Sequence, residues 1–281
     1  MSIFLRHSHN VKPERYGSEA DVQYSIAKNS EKIYGVDPDT NVLVMPGFWG
    51  FPCNDFSGKQ NHGTPVGGVA YDGQGYSFDG VDDYVEVADA NSLDMTTQFT
   101  LSSSIKQSAL AVDKAILAKW NYNTQGCWEL QTGRVANSEI YFFVASSLGD
   151  LGNNGGGTTD VNMVAGNLYD IVMVYNGSGA TNADKVKIYV NGSLKTISFV
   201  GIIPASLQNS ASSVKIGKFG GTLTRYFNGL IDEARINNIT LTAEQIALFY
   251  ARKWDLYRRV GRTYYSIAAA PSIYIPRIMI F

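Results

Sequence analysis

The chain has 281 residues, enough to hide roughly three quarters of the unfolded surface without disulfide staples. Charged residues are 17%, while Gly (28) and Tyr (17) are abundant, a balance that favours strands and turns over helices. Lys+Arg 23 against Asp+Glu 25 gives a net charge of −2, so no basic excess is present to neutralise phosphates and a nucleic-acid partner is disfavoured.

Residues 1–17 lack an apolar run of signal-peptide length and carry His, Lys and Arg early. His7 and His9 stand two apart, but two ligands alone do not make a metal site. Residues 18–33 read either as a short helix or as an extended arm, and 36–40 as a turn. From residue 41 the pattern is strand after strand: 98–105, 115–120, 127–131, 139–145, 168–175, 186–190 and 214–219, each bounded by Gly, Asn, Asp or Ser. Asn191-Gly192 is the strongest hairpin signal, because a tight primed turn needs positive φ at both positions. The Gly/Asn/Thr-rich stretches 148–160 and 176–183 read as loops. Cys53 and Cys127 are two thiols that either pair or stay free.

Thr242 and Gln245 form a capping box, followed by Ile246, Phe249, Tyr250 and Trp254 at helical spacing. The spacing predicts a helix covering an edge of the sandwich. Arg252, Lys253, Arg258, Arg259 and Arg262 form a local basic cluster, read as a solvated surface. The last residues, 262–281, are β-prone and apolar but broken by Pro271, Pro276 and Arg277. No run reaches the ~18 apolar residues that a membrane helix needs. Tyr264, Tyr265, Ile273, Tyr274 and Ile275 are the candidate assembly residues, either laid across a sheet of their own chain or added as a strand to a neighbour's edge.

Five motifs in order carry a resemblance. They are N-D-F-S-G-K-Q-N-H-G-T at 54–64, Y-S-F-D-G-V-D-D-Y-V-E-V at 76–87, F-T-L at 99–101, I-Y-V-N-G at 188–192 and F-N-G-L-I-D-E-A-R-I at 227–236, and L-T-A-E-Q-I at 241–246 resembles the helix that follows. Together they resemble the laminin-G-like, concanavalin A-type jelly-roll family over about 42–250. The resemblance implies an all-β fold of two antiparallel sheets packed face to face, with one short C-terminal helix and extended terminal arms. The expected division is an arm at 1–40, the jelly roll at 41–254 and a docking tail at 255–281. The resemblance also implies a Ca²⁺ site at Asp79 and Asp232, since the family brings these motifs together and oxygen ligands suit Ca²⁺. The residues by themselves allow another reading, with Asp79 and Asp82 capping turns and Asp232 paired with Arg235 or another cation.

Some members of this fold are glucanases with acids alternating along one strand as E-x-D-x-E, the carboxylate pair that glycoside hydrolysis needs. Here Glu129 and Glu139 stand alone in their strands, Asp232 and Glu233 point to opposite faces of a regular strand, and His62 reads as a loop residue. The expected protein is not an enzyme. A lectin-like reading rests on Trp120, Tyr122 and Trp128 as stacking platforms, with Asn123 as a hydrogen-bonding neighbour; the competing reading puts Trp120 and Trp128 in the core or rim. The segment after Trp254 resembles, more loosely, tails of laminin-G-like proteins of bacteriophages. That resemblance implies a structural protein on the exterior of a virion, assembled in the host cytoplasm. Its partners would be copies of itself, other virion proteins and a host-surface glycan. A secreted calcium-dependent lectin and a glycoside hydrolase are the alternatives.

Overall fold

The computed structural model describes residues 18–260, apart from 48–51, 72, 122–124, 137, 148, 149, 151, 222 and 224. Among them α1 spans Glu19–Tyr34, α2 Asn182–Lys185 and α3 Ala243–Ala251. The strands are β1 Asn41–Pro46, β2 Gly63–Val66, β3 Ala70–Tyr71, β4 Tyr76–Asp79, β5 Tyr84–Val87, β6 Gln98–Gln107, β7 Lys114–Asn121 and β8 Gln125–Thr132. They continue with β9 Ile140–Val144, β10 Gly155–Thr158, β11 Tyr169–Asn176, β12 Val186–Val190, β13 Ser193–Leu194, β14 Ile197–Val200, β15 Val214–Ile216 and β16 Asn228–Asn237. The first sheet runs β13-β12-β11-β6-β16-β4-β3, with β1 also paired to β16. The second runs β14-β10-β9-β8-β7-β15-β5-β2. Every pairing is antiparallel. The jelly-roll sandwich expected from the motifs is the observed fold.

The main core lies between the sheets. Phe99 of β6 packs on Trp128 of β8 at 5.9 Å and stacks on Tyr175 of β11 at 5.1 Å. Leu101, Leu130, Phe142, Ile171 and Ile188 fill the same layer and are buried. Asn191 and Gly192 adopt φ of 52° and 74°, the left-handed pair that joins β12 to β13.

A second core covers the outer face of the first sheet. Of the two readings of residues 18–33, the helix is the one formed. Ser18 caps α1 at the backbone N–H of Asp21, and Gly35 ends it in the left-handed conformation. Val22, Ile26 and Tyr34 of α1 pack with Ile246 and Phe249 of α3 and with Leu256 and Tyr257 of the 3₁₀ turn Lys253–Tyr257. Tyr34 stacks on Phe249 at 4.0 Å. Residues 18–40, expected within an arm, are therefore folded onto their own sheet, as are 255–260. The capping box at Thr242 forms as expected. However, α3 lies across strands β6, β11 and β16, a face of the sandwich and not its edge.

Beneath this helical layer runs a buried polar seam. Lys253 Nζ reaches Ser104 Oγ (2.5 Å), Asp170 Oδ1 (3.3 Å) and Asp232 Oδ2 (3.3 Å). Burial works against its charge, but Asp170, Asp232 and Glu233 outweigh burial and hold the ammonium's pKa above its usual value. Tyr257 donates to Glu233 Oε1 at 2.5 Å. Asp232 and Glu233 thus reach the same layer, against the expectation of opposite faces, because the register of β16 slips between Ile231 and Glu233. Lys253 is accordingly a buried member of the basic cluster, and Arg252 and Arg258 both close on Asp255 at 2.7 Å.

Two further differences have physical causes. Residues 155–158, expected inside a loop, form β10 between β9 and β14. Three glycines carry no strand propensity, but they let the backbone press close: a Cβ on Gly155 would sit 2.3 Å from the Phe142 carbonyl oxygen. Cys53 and Cys127 are free and buried; Cys53 meets the Tyr71 hydroxyl, and burial pushes the Cys127 thiol up to about 12.

The seam gives the first test. Replacing Lys253 with Ala leaves Asp232 and Asp170 without their cation, a loss of about 3–5 kcal/mol for a buried pair. The melting temperature should fall by on the order of 10 °C. A shift within 2 °C of the parent in a thermal melt would show that the seam does not hold the helical layer.

Candidate functional site

Alternation along β8 decides which side chains meet. Trp128, Leu130 and Thr132 lie opposite Val144, Phe142 and Ile140 and face the main core. Glu129 and Gln131 lie opposite Phe143 and Tyr141 and face outward. Glu129 is also paired with Ala118 of β7. A third apolar cluster gathers on this outer face: Ala115, Ala118, Trp120, Tyr141, Phe143 and Phe219, with Leu223 against them. Trp120 packs on Phe143 (6.5 Å) and on Phe219 (6.1 Å), and Tyr141 on Phe143 (4.9 Å).

Charged side chains roof the cluster. The Arg134 guanidinium lies over the Phe143 ring at 5.1 Å, and that of Arg225 over Phe219 at 5.1 Å. Both reach one carboxylate, Asp113, at 3.2 and 3.5 Å. Gln131 donates its amide N–H groups to Asp113 and to the Gly133 carbonyl. Glu139 Oε1 accepts from the backbone N–H groups of Arg134 (2.8 Å), Val135 (2.5 Å) and Ala136 (3.0 Å), which fixes the turn that carries Arg134.

Glu129 stands apart in this arrangement. It is fully buried, and neither carboxylate oxygen has a hydrogen-bond partner among the described residues. Gln131 Oε1 and the indole N–H of Trp120 are buried and unpartnered in the same sense. Burial raises the Glu129 carboxyl from 4.5 to about 8, with Arg225 and Arg134 pulling it down and Asp113 pushing it up. An orphaned acid in the middle of a strand costs stability, and such groups concentrate at functional sites.

The residues singled out in the sequence fall differently. Trp120 and Trp128 are 1% and 0% exposed. Neither offers a ring face to a sugar, so both belong to the core reading. Tyr122 and Asn123 lie outside the described residues, as do Tyr264, Tyr265, Ile273, Tyr274 and Ile275, and His7 and His9. Asp79 and Asp232 do not converge. Asp79 is opposite Asn228 on β16, and Asp232 lies four positions further along, roughly 13 Å at about 3.3 Å per residue. Asp232 is taken by Lys253. Asp79 Oδ1 accepts the N–H groups of Val81 and Asp82, and the first of these holds its pKa below the usual value. Acceptor oxygens of Asp79, Asp82 and Asp83 come within 4.8 Å of one another. Those of Asp83, however, receive the N–H groups of Gly68 and Asp79. Asp79 and Asp232 do not make up the implied Ca²⁺ site: Asp232 pairs with Lys253, and Asp79 Oδ1 caps the turn after β4.

Sequence reasoning passed over Glu129 as a single acid, and did not single out Asp113, Arg134 or Arg225. One signal was available: Glu129 is the sole charge within the apolar run 126–130.

The sequence profile described as the concanavalin A-like lectin/glucanases superfamily matches residues 79–247, more than half of the chain. The chain belongs to this superfamily. Solved structures agree with the fold. Domain 4 of AbnA, a GH43 extracellular arabinanase from Geobacillus stearothermophilus, in complex with arabinotriose, matches 78% of this chain and 98% of its own at 18% identity, TM-score 0.54. The binding domain of Paraclostridial Mosquitocidal Protein 1 matches 76% of this chain at 14% identity, TM-score 0.59. The botulinum neurotoxin serotype D binding domain matches 76% at 16% identity, TM-score 0.56. The chain spans about half the length of these two toxin domains, 52% in each case. A search among curated protein sequences finds no match.

The buried acid sets a pH dependence. Glu129 keeps its proton in the folded state up to about pH 8 but loses it near pH 4.5 when unfolded. Between those values the native state binds more protons, so stability falls as pH rises and levels off above about 8. Glu129→Gln should remove this decline and melt higher than the parent above pH 8. Parallel pH–melting profiles for the two chains would refute the assignment.

Proposed function

We propose that the chain is a non-enzymatic carbohydrate-binding component on the outer surface of a bacteriophage virion, and that the outer face of its second sheet is the glycan-binding face. The observation that carries the reading is an arrangement of poles. Orphaned acceptors at Glu129 and Gln131, among aromatic rings, lie on the outer side of one sheet. Sugar sites combine apolar rings with a few placed polar groups; here both lie buried beneath Arg134, Arg225 and Asp113, and a sugar reaches them by displacing that roof. The helical layer covers the outer side of the opposite sheet. Both flanking segments leave from that layer: Ser18 opens α1, and the Val260 N–H bonds Ser25 Oγ on the same helix at 3.0 Å. Residues 1–17 and 261–281 therefore start from the pole away from the proposed glycan face, where they dock on sister subunits and other virion proteins. The arabinanase domain in complex with arabinotriose lends support by its shared fold, and the phage setting rests on the likeness of the tail.

The non-catalytic reading rests on the carboxylates. Hydrolysis needs two of them flanking the bond, whereas Glu139 is engaged by three backbone N–H groups and Asp113 by two arginines. Of these three acids, only Glu129 lacks a hydrogen-bond partner among the described residues.

The full chain on a glycan array should bind a defined set of glycans without releasing reducing sugar. Removal of residues 266–281 should leave a cooperatively melting sandwich that binds the same glycans but no longer assembles. An array with no hits refutes the glycan role, and a truncated chain that still assembles refutes docking through the tail.

A further inference from the structure

Three buried acceptor atoms on the outer face of β8 have no donor among the described residues: both oxygens of Glu129 and Oε1 of Gln131. The two residues are i and i+2 on one strand, so their side chains rise side by side from the same face. Around them stand Tyr141 and Phe143, their cross-strand partners, and Trp120 against Phe143. Ring faces attract cations, and a desolvated carboxylate calls for a cationic partner. The nearby arginines do not supply it: Arg134 and Arg225 both bond Asp113 above the cluster. Their side chains, 39% and 21% exposed, form with Asp113 a roof that faces solvent.

We propose that this site takes a primary ammonium group, and that, if the glycan reading above holds, its ligand is a glycan bearing free amino sugars. An ammonium carries three divergent N–H donors, which matches three orphaned acceptors. A hydroxyl brings one donor and no charge, and an acetamido group brings one donor and a bulk that has to displace the roof. The charges facing Glu129 are Arg225 and Arg134, which favour its ionised form, and Asp113, which opposes it. An ammonium on Glu129 takes the place of the carboxyl's proton, which is released to solvent as the ion pair forms. Entry requires the Asp113–Arg225 contact, the longer of the two at 3.5 Å, to part.

The test uses the full chain, calorimetric titration and three probes: a glucosamine tetrasaccharide with free amines, its fully N-acetylated counterpart, and cyclohexylammonium. The free-amine tetrasaccharide should bind at least about tenfold more tightly than the N-acetylated one, as expected for a charge-assisted hydrogen bond. Cyclohexylammonium should compete with it. Glu129→Gln, close in shape, should abolish the preference, and Gln131→Met should weaken it by removing the third acceptor. Equal binding of the two tetrasaccharides, unchanged in Glu129→Gln, overturns the ammonium site and leaves the glycan reading standing. Binding of cyclohexylammonium that depends on Glu129, with neither sugar bound, supports the ammonium site and counts against the glycan reading. Binding of none of the three probes overturns the ammonium site, and the glycan array decides the other reading separately.

Discussion

Alternation of side chains across two antiparallel sheets is the constraint from which the rest follows. One set of residues, with Phe99, Trp128 and Tyr175 at its centre, closes the space between the sheets. The alternate set is then forced onto the outer faces, and here both outer faces are covered as well. Helices and a 3₁₀ turn cover one; a loop carrying Phe219 and Arg225 lies over the other. The strands consequently read as near-continuous buried runs, as in β7, β8 and β9, and not as the half-wet alternation of an open antiparallel sheet.

The two outer layers meet the cost of buried charge in opposite ways. Under the helices, Lys253 is set among Asp170, Asp232 and Ser104, so each charge has a partner. That pairing also fixes how the segments before β1 and after α3 sit on the sheet, since Tyr34, Phe249 and Tyr257 pack around the same seam. On the far side the charges are paired with one another above the sheet, while Glu129 beneath them has no hydrogen-bond partner among the described residues. One layer sets its buried lysine among counter-charges and is structural in character. The other retains a buried acid with no hydrogen-bond partner among the described residues, a local inconsistency of the kind that concentrates at functional sites.

Much of the fold was legible in the residues. Period-two apolar runs and turn chemistry located β6, β7, β8, β9, β11, β12 and β15, and Asn191-Gly192 and the capping box at Thr242 formed as their chemistry requires. β10 was not legible, because a run of glycines has no strand signature until neighbours press against it. The facing of Asp232 and Glu233 was misread because a register slip in β16 is invisible in a linear pattern. Trp120 and Trp128 could be read as sugar platforms or as core, because aromatic composition does not reveal which face of a strand ends up covered.

The sequence by itself determined the layered β architecture and the superfamily, because alternation, turns and ordered motifs are local properties of the chain. Tertiary structure alone decided the site. Asp113, Glu129, Arg134 and Arg225 lie far apart in the chain or on different elements, and only the closing of the sandwich and the fold of the loop over it bring them together. The same holds for Lys253, 83 positions from Asp170. Burial, which turns an ordinary glutamate into an orphaned acid, is a property of what surrounds a residue in space, and no local pattern encodes it.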